Sequence, residues 1–308
     1  MSKVNVNAIE PSTGTDITLG ASGDTITTPS GAVTSLDGAV TVNDSSNDVD
    51  FRVESNGNAN MLTVNGGSNI VGIGADPDLG VGLHIKTADS GGSVDSAADE
   101  LVIEGSAHNG ITFLTGTTQT STINFGDSGD NNIGIVEYNH NTNNMHMYTN
   151  AALAMTIDST GAVTKPLQPA FYAEIAGGNQ DNIAINTAVT VLLNSEVFDV
   201  NADFNTGTYT FTAPVTGKYH FSVKLACNNV DEGASYYDLK LSTSNKAIYL
   251  GSWAFNGLDA DATYFALVGS CTCDMDASDT ASVEIYQGGG TAQTDLNNGT
   301  YMTGHLVC

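Results

Sequence analysis

Lys218-Tyr219-His220-Phe221-Ser222-Val223-Lys224-Leu225 alternates polar and apolar residues without a break. Successive side chains of a strand point to opposite faces, so Tyr219, Phe221, Val223 and Leu225 share one face. Just upstream, Thr208-Tyr209-Thr210-Phe211-Thr212 alternates in the same way. Ala213-Pro214-Val215-Thr216-Gly217 lies between them and is expected to turn the chain, which makes the Phe211 strand the hairpin partner of the Tyr219 strand. Downstream, Asp238-Leu239-Lys240-Leu241, Tyr264-Phe265-Ala266-Leu267-Val268, Ser282-Val283-Glu284-Ile285-Tyr286 and Gly304-His305-Leu306-Val307 read as further strands. Eight or more antiparallel strands in this length suit a two-sheet jelly roll. No helical periodicity of useful length occurs, so the chain is expected to be all-β.

The spacing of the apolar anchors carries more than strand content. Leu193, Asp199, Phe204, Phe211, Gly217, Tyr219, Phe221 and Val223 stand at the intervals of the C1q-domain signature, which this stretch resembles. Two positions depart from it: Leu193 and Val223 replace aromatics but stay apolar. Asp276-Ala277-Ser278-Asp279-Thr280-Ala281-Ser282-Val283 is similar to the acidic turn of that family, and Tyr301-Met302-Thr303-Gly304-His305-Leu306 to its closing strand. The resemblance covers residues 169–308. It implies a C1q/TNF-like jelly-roll head with Leu193, Phe204, Phe211, Gly217, Tyr219, Phe221 and Val223 in its structural core. It also implies a trimer, and binding rather than catalysis.

Upstream of Pro166-Leu167-Gln168-Pro169, a stiff linker that interrupts strand ladders, the texture changes. Short apolar runs alternate with Ser, Thr, Asn, Asp and Gly. A diverged repeat links Met61-Leu62-Thr63-Val64-Asn65 and Ile70-Val71-Gly72-Ile73-Gly74 to Met147-Tyr148-Thr149-Asn150, Met155-Thr156-Ile157-Asp158 and Ala162-Val163-Thr164. Leu101-Val102-Ile103, Ile111-Thr112-Phe113-Leu114, Thr122-Ile123-Asn124-Phe125 and Ile133-Gly134-Ile135-Val136 are expected strands between them. The repeats are too few and irregular for a self-sufficient solenoid, and three intertwined chains would give every edge a partner. Leu101-Val102-Ile103-Glu104, Ile123-Asn124-Phe125-Gly126-Asp127, Tyr138-Asn139-His140 and Met155-Thr156-Ile157-Asp158 resemble shaft segments of predicted tail fibres of marine bacteriophages. So does Asn69-Ile70-Val71-Gly72-Ile73-Gly74 followed by Leu83-His84-Ile85. The expected organisation is an anchoring segment over 1–48, a repetitive, extended trimeric β-shaft over 49–165 and the jelly-roll sandwich over 166–308.

Eight Lys+Arg stand against 34 Asp+Glu, a formal net charge of -26. Such a chain repels nucleic-acid backbones and tolerates high salt, where charge is screened. No apolar run reaches membrane-spanning length, so no membrane insertion is expected. The start of the chain shows no signal-peptide pattern. Cys227, Cys271, Cys273 and Cys308 lack metal-site spacing and read as small apolar residues. Cys271 and Cys273 are expected on opposite faces of one strand, and so not to pair. His140 and His146 are too isolated for a metal site. Asp274–Asp279 lacks the Gly and Glu of a calcium loop and reads as a solvated turn. Neither metal nor cofactor is expected, and with no close carboxylate pair a glycan depolymerase is disfavoured.

These observations predict a non-enzymatic bacteriophage tail fibre, displayed on the virion, that attaches to the host surface through its head. A capsid decoration fibre and a bacterial surface adhesin are the alternatives. The expected partners are two further copies of the chain, other virion proteins at the N-terminus, and a host glycan or protein at the head. Loops joining sandwich strands carry binding. Asn228–Ser235, Asn256–Thr263 and Gln287–Thr300 are therefore the expected recognition surface, with Asp231, Glu232, Tyr236, Tyr237, Asp259, Asp261 and Asp295 as its candidate residues. Trp253 is weighed both as a sugar-stacking ring and as core.

Overall fold

The computed structural model describes residues 51–308, so the anchoring segment expected over 1–48 lies outside the described residues. Every regular element described is a strand. The described residues divide into two compact units, one ending at Thr112 and the other spanning Phe113–Cys308. The stretch expected to form one shaft is thus shared between them.

The first unit holds a five-stranded sheet of β1 (Phe51–Val53), β2 (Leu62–Asn65), β3 (Ile70–Ile73), β4 (Leu83–Lys86) and β5 (Leu101–Glu104). β1 to β3 form an antiparallel meander, with Asn69 at positive φ in the turn before β3. β4 and β5 then add in parallel. Among the described residues of this unit Ile70, Pro77 and Val102 are buried apolar residues, and Thr63, His84, Lys86 and Glu104 are buried as well. So short a core is half polar, and its polar groups must be matched to one another. Ile111-Thr112-Phe113-Leu114, expected as a strand, has no ladder partner, and Leu114 is 90% exposed. Here a run of apolar residues lacks a neighbouring edge to pair with.

The second unit opens with an antiparallel meander of β6 (Thr120–Phe125), β7 (Gly134–Asn139), β8 (Asn144–Thr149), β9 (Ala152–Ile157) and β10 (Val163–Thr164). No residue of these strands is buried, and Ile123, Phe125, Met145 and Met147 are exposed. A single sheet without a covering layer keeps its apolar side chains in water. His146 Nδ1 lies 3.1 Å from Glu137 Oε1 across β7 and β8, and the His140 ring sits edge-on to Tyr138. Both histidines are therefore part of this sheet surface.

The rest of the unit is a sandwich of β11 (Ala170–Glu174), β12 (Ala188–Thr190), β13 (Ser195–Asp199), β14 (Phe204–Asn205), β15 (Thr210–Thr212), β16 (Gly217–Val230), β17 (Ala234–Thr243), β18 (Ala247–Trp253), β19 (Ala262–Met275), β20 (Thr280–Gly289), β21 (Asp295–Leu296) and β22 (Tyr301–Leu306). One sheet runs β13-β11-β22-β16-β19, with β21 beside β16. The other runs β14-β15-β20-β17-β18, with β12 beside β20. All pairings between these strands are antiparallel, and the chain stays in one sheet only at β14–β15, β17–β18 and β21–β22 and crosses at every other connection, which is the jelly-roll order. Phe211 is therefore not on a hairpin partner of the Tyr219 strand. Its strand β15 pairs with β20 in the opposite sheet, and Ala213–Thr216 bridges the two layers. Pro214 has no backbone N–H to give to a ladder, which suits a crossing segment.

The core fills from both inner faces. Leu193, Phe204, Phe211, Tyr219, Phe221 and Val223 are buried, together with Phe171, Leu225, Tyr237, Leu239, Leu241, Val283 and Ile285. Phe171 stacks on Phe211 at 4.9 Å and on Phe204 at 5.1 Å, and Phe211 meets Phe221 edge-on at 5.7 Å. Gly304 lies between these rings: a Cβ there would come within 2.5 Å of Phe171 and 2.8 Å of Phe221, so only glycine lets β22 pass under the aromatic cluster. Gly217 is half-buried and plays the same part at the mouth of β16, where a Cβ would meet the Leu306 side chain and the Cys308 carbonyl at 2.7 Å. Trp253 packs against the core rather than standing free. The expectation for Cys271 and Cys273 fails on strand geometry. Residues two apart share a face, and both turn toward the interior, opposite Phe221 and Tyr219. Burial pushes the Cys273 thiol up to about 11 and the Cys227 thiol up to about 12.

Candidate functional site

Two surfaces of the sandwich have the makings of a site. The first is the end where β16 turns into β17, β18 into β19, and β20 into β21. The long strands shorten the expected loops: β16 runs to Val230, β17 starts at Ala234, and Gln287–Gly289 belongs to β20. What remains is tied together. The Glu232 N–H donates to Asp261 Oδ1 at 2.9 Å. Asp295 accepts from the Asn182 N–H at 2.7 Å and from Asn229 Nδ2 at 2.9 Å. Asn229, Asp261, Thr263, Ala292 and Gln293 line a shallow groove between the loops.

Asp231 and Tyr237 do not belong to the exposed surface expected of them; both are buried. Asp231 accepts from the backbone N–H groups of Gly233, Thr291 and Ala292 at 2.7, 2.5 and 2.7 Å. Burial alone would raise its carboxyl, but these three donors outweigh burial and hold it below the ordinary carboxylate range. Tyr237 Oη accepts from the Asp231 N–H at 2.9 Å and shares a hydrogen bond with Thr294 Oγ1 at 2.8 Å. Gly290, at φ 92°, leaves the space through which the carboxylate reaches Thr291 and Ala292. Asp231 and Tyr237 thus form an internal latch that shapes the loops. Glu232 is half-buried, Asp259 and Asp261 are exposed, and Asp295 is half-buried and already paired.

Tyr236 lies on β17 and faces outward, opposite Tyr237, as strand alternation requires. It stacks on Tyr286 at 5.8 Å, and Lys240 Nζ sits 5.3 Å from the Tyr286 ring and 4.9 Å from the Tyr249 ring. This ladder of rings and one ammonium covers the outer face of the second sheet, well placed to meet a flat polar partner. Sequence alternation alone would separate Tyr236 from Tyr237; reading the pair as one loop unit hides it.

The second surface is the outer face of the other sheet, which sequence reading missed. Along β19, Tyr264 is 74% exposed and Val268 56% exposed. By register Val268 lies beside Lys224, and Lys224 beside Tyr301. Tyr301 stacks on Tyr172 at 5.2 Å, and Phe198 on β13 is exposed beyond it. The result is an aromatic and aliphatic band crossing every main strand of the sheet. The signal was present in the sequence as Tyr264 and Val268, which a period of two puts on one face of β19 with Ala266.

No described protein family matches the sequence, and neither does any curated protein. Solved structures do. The globular domain of zebrafish complement 1qA protein is 20% identical over 46% of this chain and 98% of its own, with a TM-score of 0.34. Murine APRIL at pH 8.0 is 11% identical over 46% of this chain and 99% of its own, with a TM-score of 0.34. Eiger TNF from S. frugiperda is 12% identical over 47% and 94%, also with a TM-score of 0.34. The strand order and registers above, rather than these likenesses, define the architecture.

Proposed function

We propose that the chain is a non-enzymatic subunit of a homotrimeric fibre whose sandwich head binds a cell surface. In its finer form, the reading is a bacteriophage tail fibre on the virion, with the N-terminal segment joined to other virion proteins and the head contacting a host glycan or protein. The observation that carries it is the uncovered apolar band of Tyr264, Val268, Tyr301, Tyr172 and Phe198 on a chain whose net charge is -26. A strongly acidic chain that still presents apolar side chains on both sides of Lys224 across one sheet face is suited to burial against another protein. The bare meander β6–β10 has the same need, with Ile123 and Phe125 in water. A closed assembly of like chains meets both needs at once. The phage-fibre phrases between Asn69 and Asp158 and the C1q-type register supply the finer reading.

The test is the mass of the full chain by light scattering at moderate salt, with Val268→Glu as the interface variant. Three chains per particle are expected for the wild type and a shift toward single chains for the variant. A wild type that stays monomeric at micromolar concentration would remove the fibre reading. Adsorption of the fluorescently labelled full chain to a panel of marine bacteria then tests host attachment; binding to none of them would leave a purely structural fibre.

A further inference from the structure

The first unit buries a polar cluster that neither the sheet nor the proposed head function uses. His84 and Lys86 on β4 and Glu104 on β5 are buried, while Asp78, in the segment between β3 and β4, keeps a side chain 57% exposed. The parallel register places Lys86 beside Glu104, with His84 one step along the same face. Ser90 fixes Glu104 from outside: its N–H and hydroxyl reach Oε1 at 2.7 and 2.9 Å. The other oxygen, Oε2, meets His84 Nε2 at 3.0 Å. A carboxylate only accepts, so Nε2 carries a ring proton, and in the neutral ring Nδ1 then presents a bare lone pair. That nitrogen is buried, has no hydrogen-bond partner, and faces Asp78 Oδ1 at 3.7 Å. With the ring neutral, two acceptors confront each other, the nitrogen on the dry side and the Asp78 oxygen on the open side, an arrangement that an electrophile between them would satisfy. Lys86 answers only the oxygens: its Nζ lies 2.7 and 2.6 Å from the two oxygens of Asp78 and 3.4 Å from Glu104 Oε2.

We propose that His84 Nδ1 and Asp78 Oδ1 chelate a divalent transition-metal ion of the Zn2+ class, with Glu104 as the outer partner of the imidazole. Zinc takes imidazole nitrogen at about 2.0–2.1 Å and carboxylate oxygen at about 2.0–2.2 Å, so one ion can touch both atoms across the gap with an open angle. Imidazole with carboxylate selects Zn2+, Co2+, Ni2+ or Cu2+ over Ca2+ and Mg2+, which want oxygen alone. The hydrogen bond from Nε2–H to Glu104 is the outer contact that fixes the tautomer of a metal-ligating histidine and strengthens it as a ligand. The candidate donor atoms of Asp78, His84 and Glu104 lie within 4.8 Å of one another. Exposure of Asp78 gives the ion its approach and leaves room for water to complete the coordination. Lys86 shares Asp78 and so competes with the metal. Binding would pin the segment carrying Asp78 onto the parallel part of the sheet.

The test is calorimetric titration of the full chain with Zn2+ alone, alongside the visible spectrum of the Co2+ form. Wild type should show one saturable site per chain. Asp78→Asn, a change on a side chain 57% exposed, should weaken binding at least about tenfold, the scale on which metal sites respond to lost support. Lys86→Gln should tighten it by removing the competing ammonium. His84→Gln should abolish the Co2+ spectrum, and the Asp78→Asn result carries the test if that variant misfolds. Absence of saturable binding in wild type, equal binding by Asp78→Asn, or weaker binding by Lys86→Gln would each overturn the proposal.

Discussion

Asp231→Asn changes one atom in the latch of the loop end, and the structure fixes how much that should matter. Oδ2 accepts from the Thr291 and Ala292 N–H groups, and Oδ1 from that of Gly233. An asparagine can keep its carbonyl oxygen toward Thr291 and Ala292. Its amino group must then face the Gly233 N–H, donor against donor. Hydrogen bonds to a charged acceptor are worth about 1.5–3 kcal/mol and neutral ones about 0.5–1.5 kcal/mol. Two bonds lose their charge, at about 1–1.5 kcal/mol each, and one is lost, at about 1.5–3 kcal/mol, which sums to roughly 3.5–6 kcal/mol. Gly233 is exposed, so water recovers part of the lost bond and the lower half of that range applies. In a domain of this size each 1 kcal/mol lowers the melting temperature by about 2–4 °C. The expectation is a fall of at least about 7 °C at pH 7, with faster hydrogen exchange at Thr291 and Ala292. The sign with pH is also fixed. The carboxyl sits below its ordinary range in the folded chain, so its contribution is complete above the unfolded value and fades as pH falls through the folded one. Wild type and variant should therefore converge in acid. An unchanged melting temperature at pH 7, or a gap that widens in acid, would refute the latch.

Two further outcomes follow from the sandwich. Phe221→Ala removes a fully buried ring from the Phe171, Phe211 and Tyr219 cluster and should cost about 3–5 kcal/mol, read by urea unfolding of the tryptophan signal. Asp203 behaves oppositely to Asp231. Burial first, and the charge of Asp199 second, push its carboxyl up to about 6, and its Oδ2 is buried without a hydrogen-bond partner. Its ionisation therefore costs stability as pH rises from about 4 through 6. Asp203→Asn should melt higher than wild type at pH 7, by about 1 kcal/mol after solvent screening of this half-buried group, and match it near pH 3.5.

Much of the head was legible because its chemistry is periodic. A spacing of two residues defines which side chains share a face, and the aromatic anchors from Phe204 to Phe221 obey it. The anchors fix the core but not the layer, since Pro214 and Thr216 can end a hairpin or cross between sheets equally well. Only the length of β16, which pairs with β19 along its whole run, decides for the crossing. The first unit shows the other limit of the same rule. Leu83-His84-Ile85-Lys86 alternates cleanly, and an apolar-inward assumption would bury Leu83 and Ile85 and expose His84 and Lys86. The structure does the reverse: His84 is 0% exposed while Leu83 and Ile85 are only half-buried. The decisive residue lies twenty positions away, on a parallel strand that no local turn announces. Glu104 can accept from His84 and Lys86 only once β5 is in register beside β4, so the polar face turns inward where its partners are. Period sets which residues travel together; the partners found at long range choose which face is buried. The same choice concentrates His84, Lys86, Glu104 and Asp78 at one point, and for that reason the inverted strand, rather than any motif, marks the place in this unit where chemistry is concentrated.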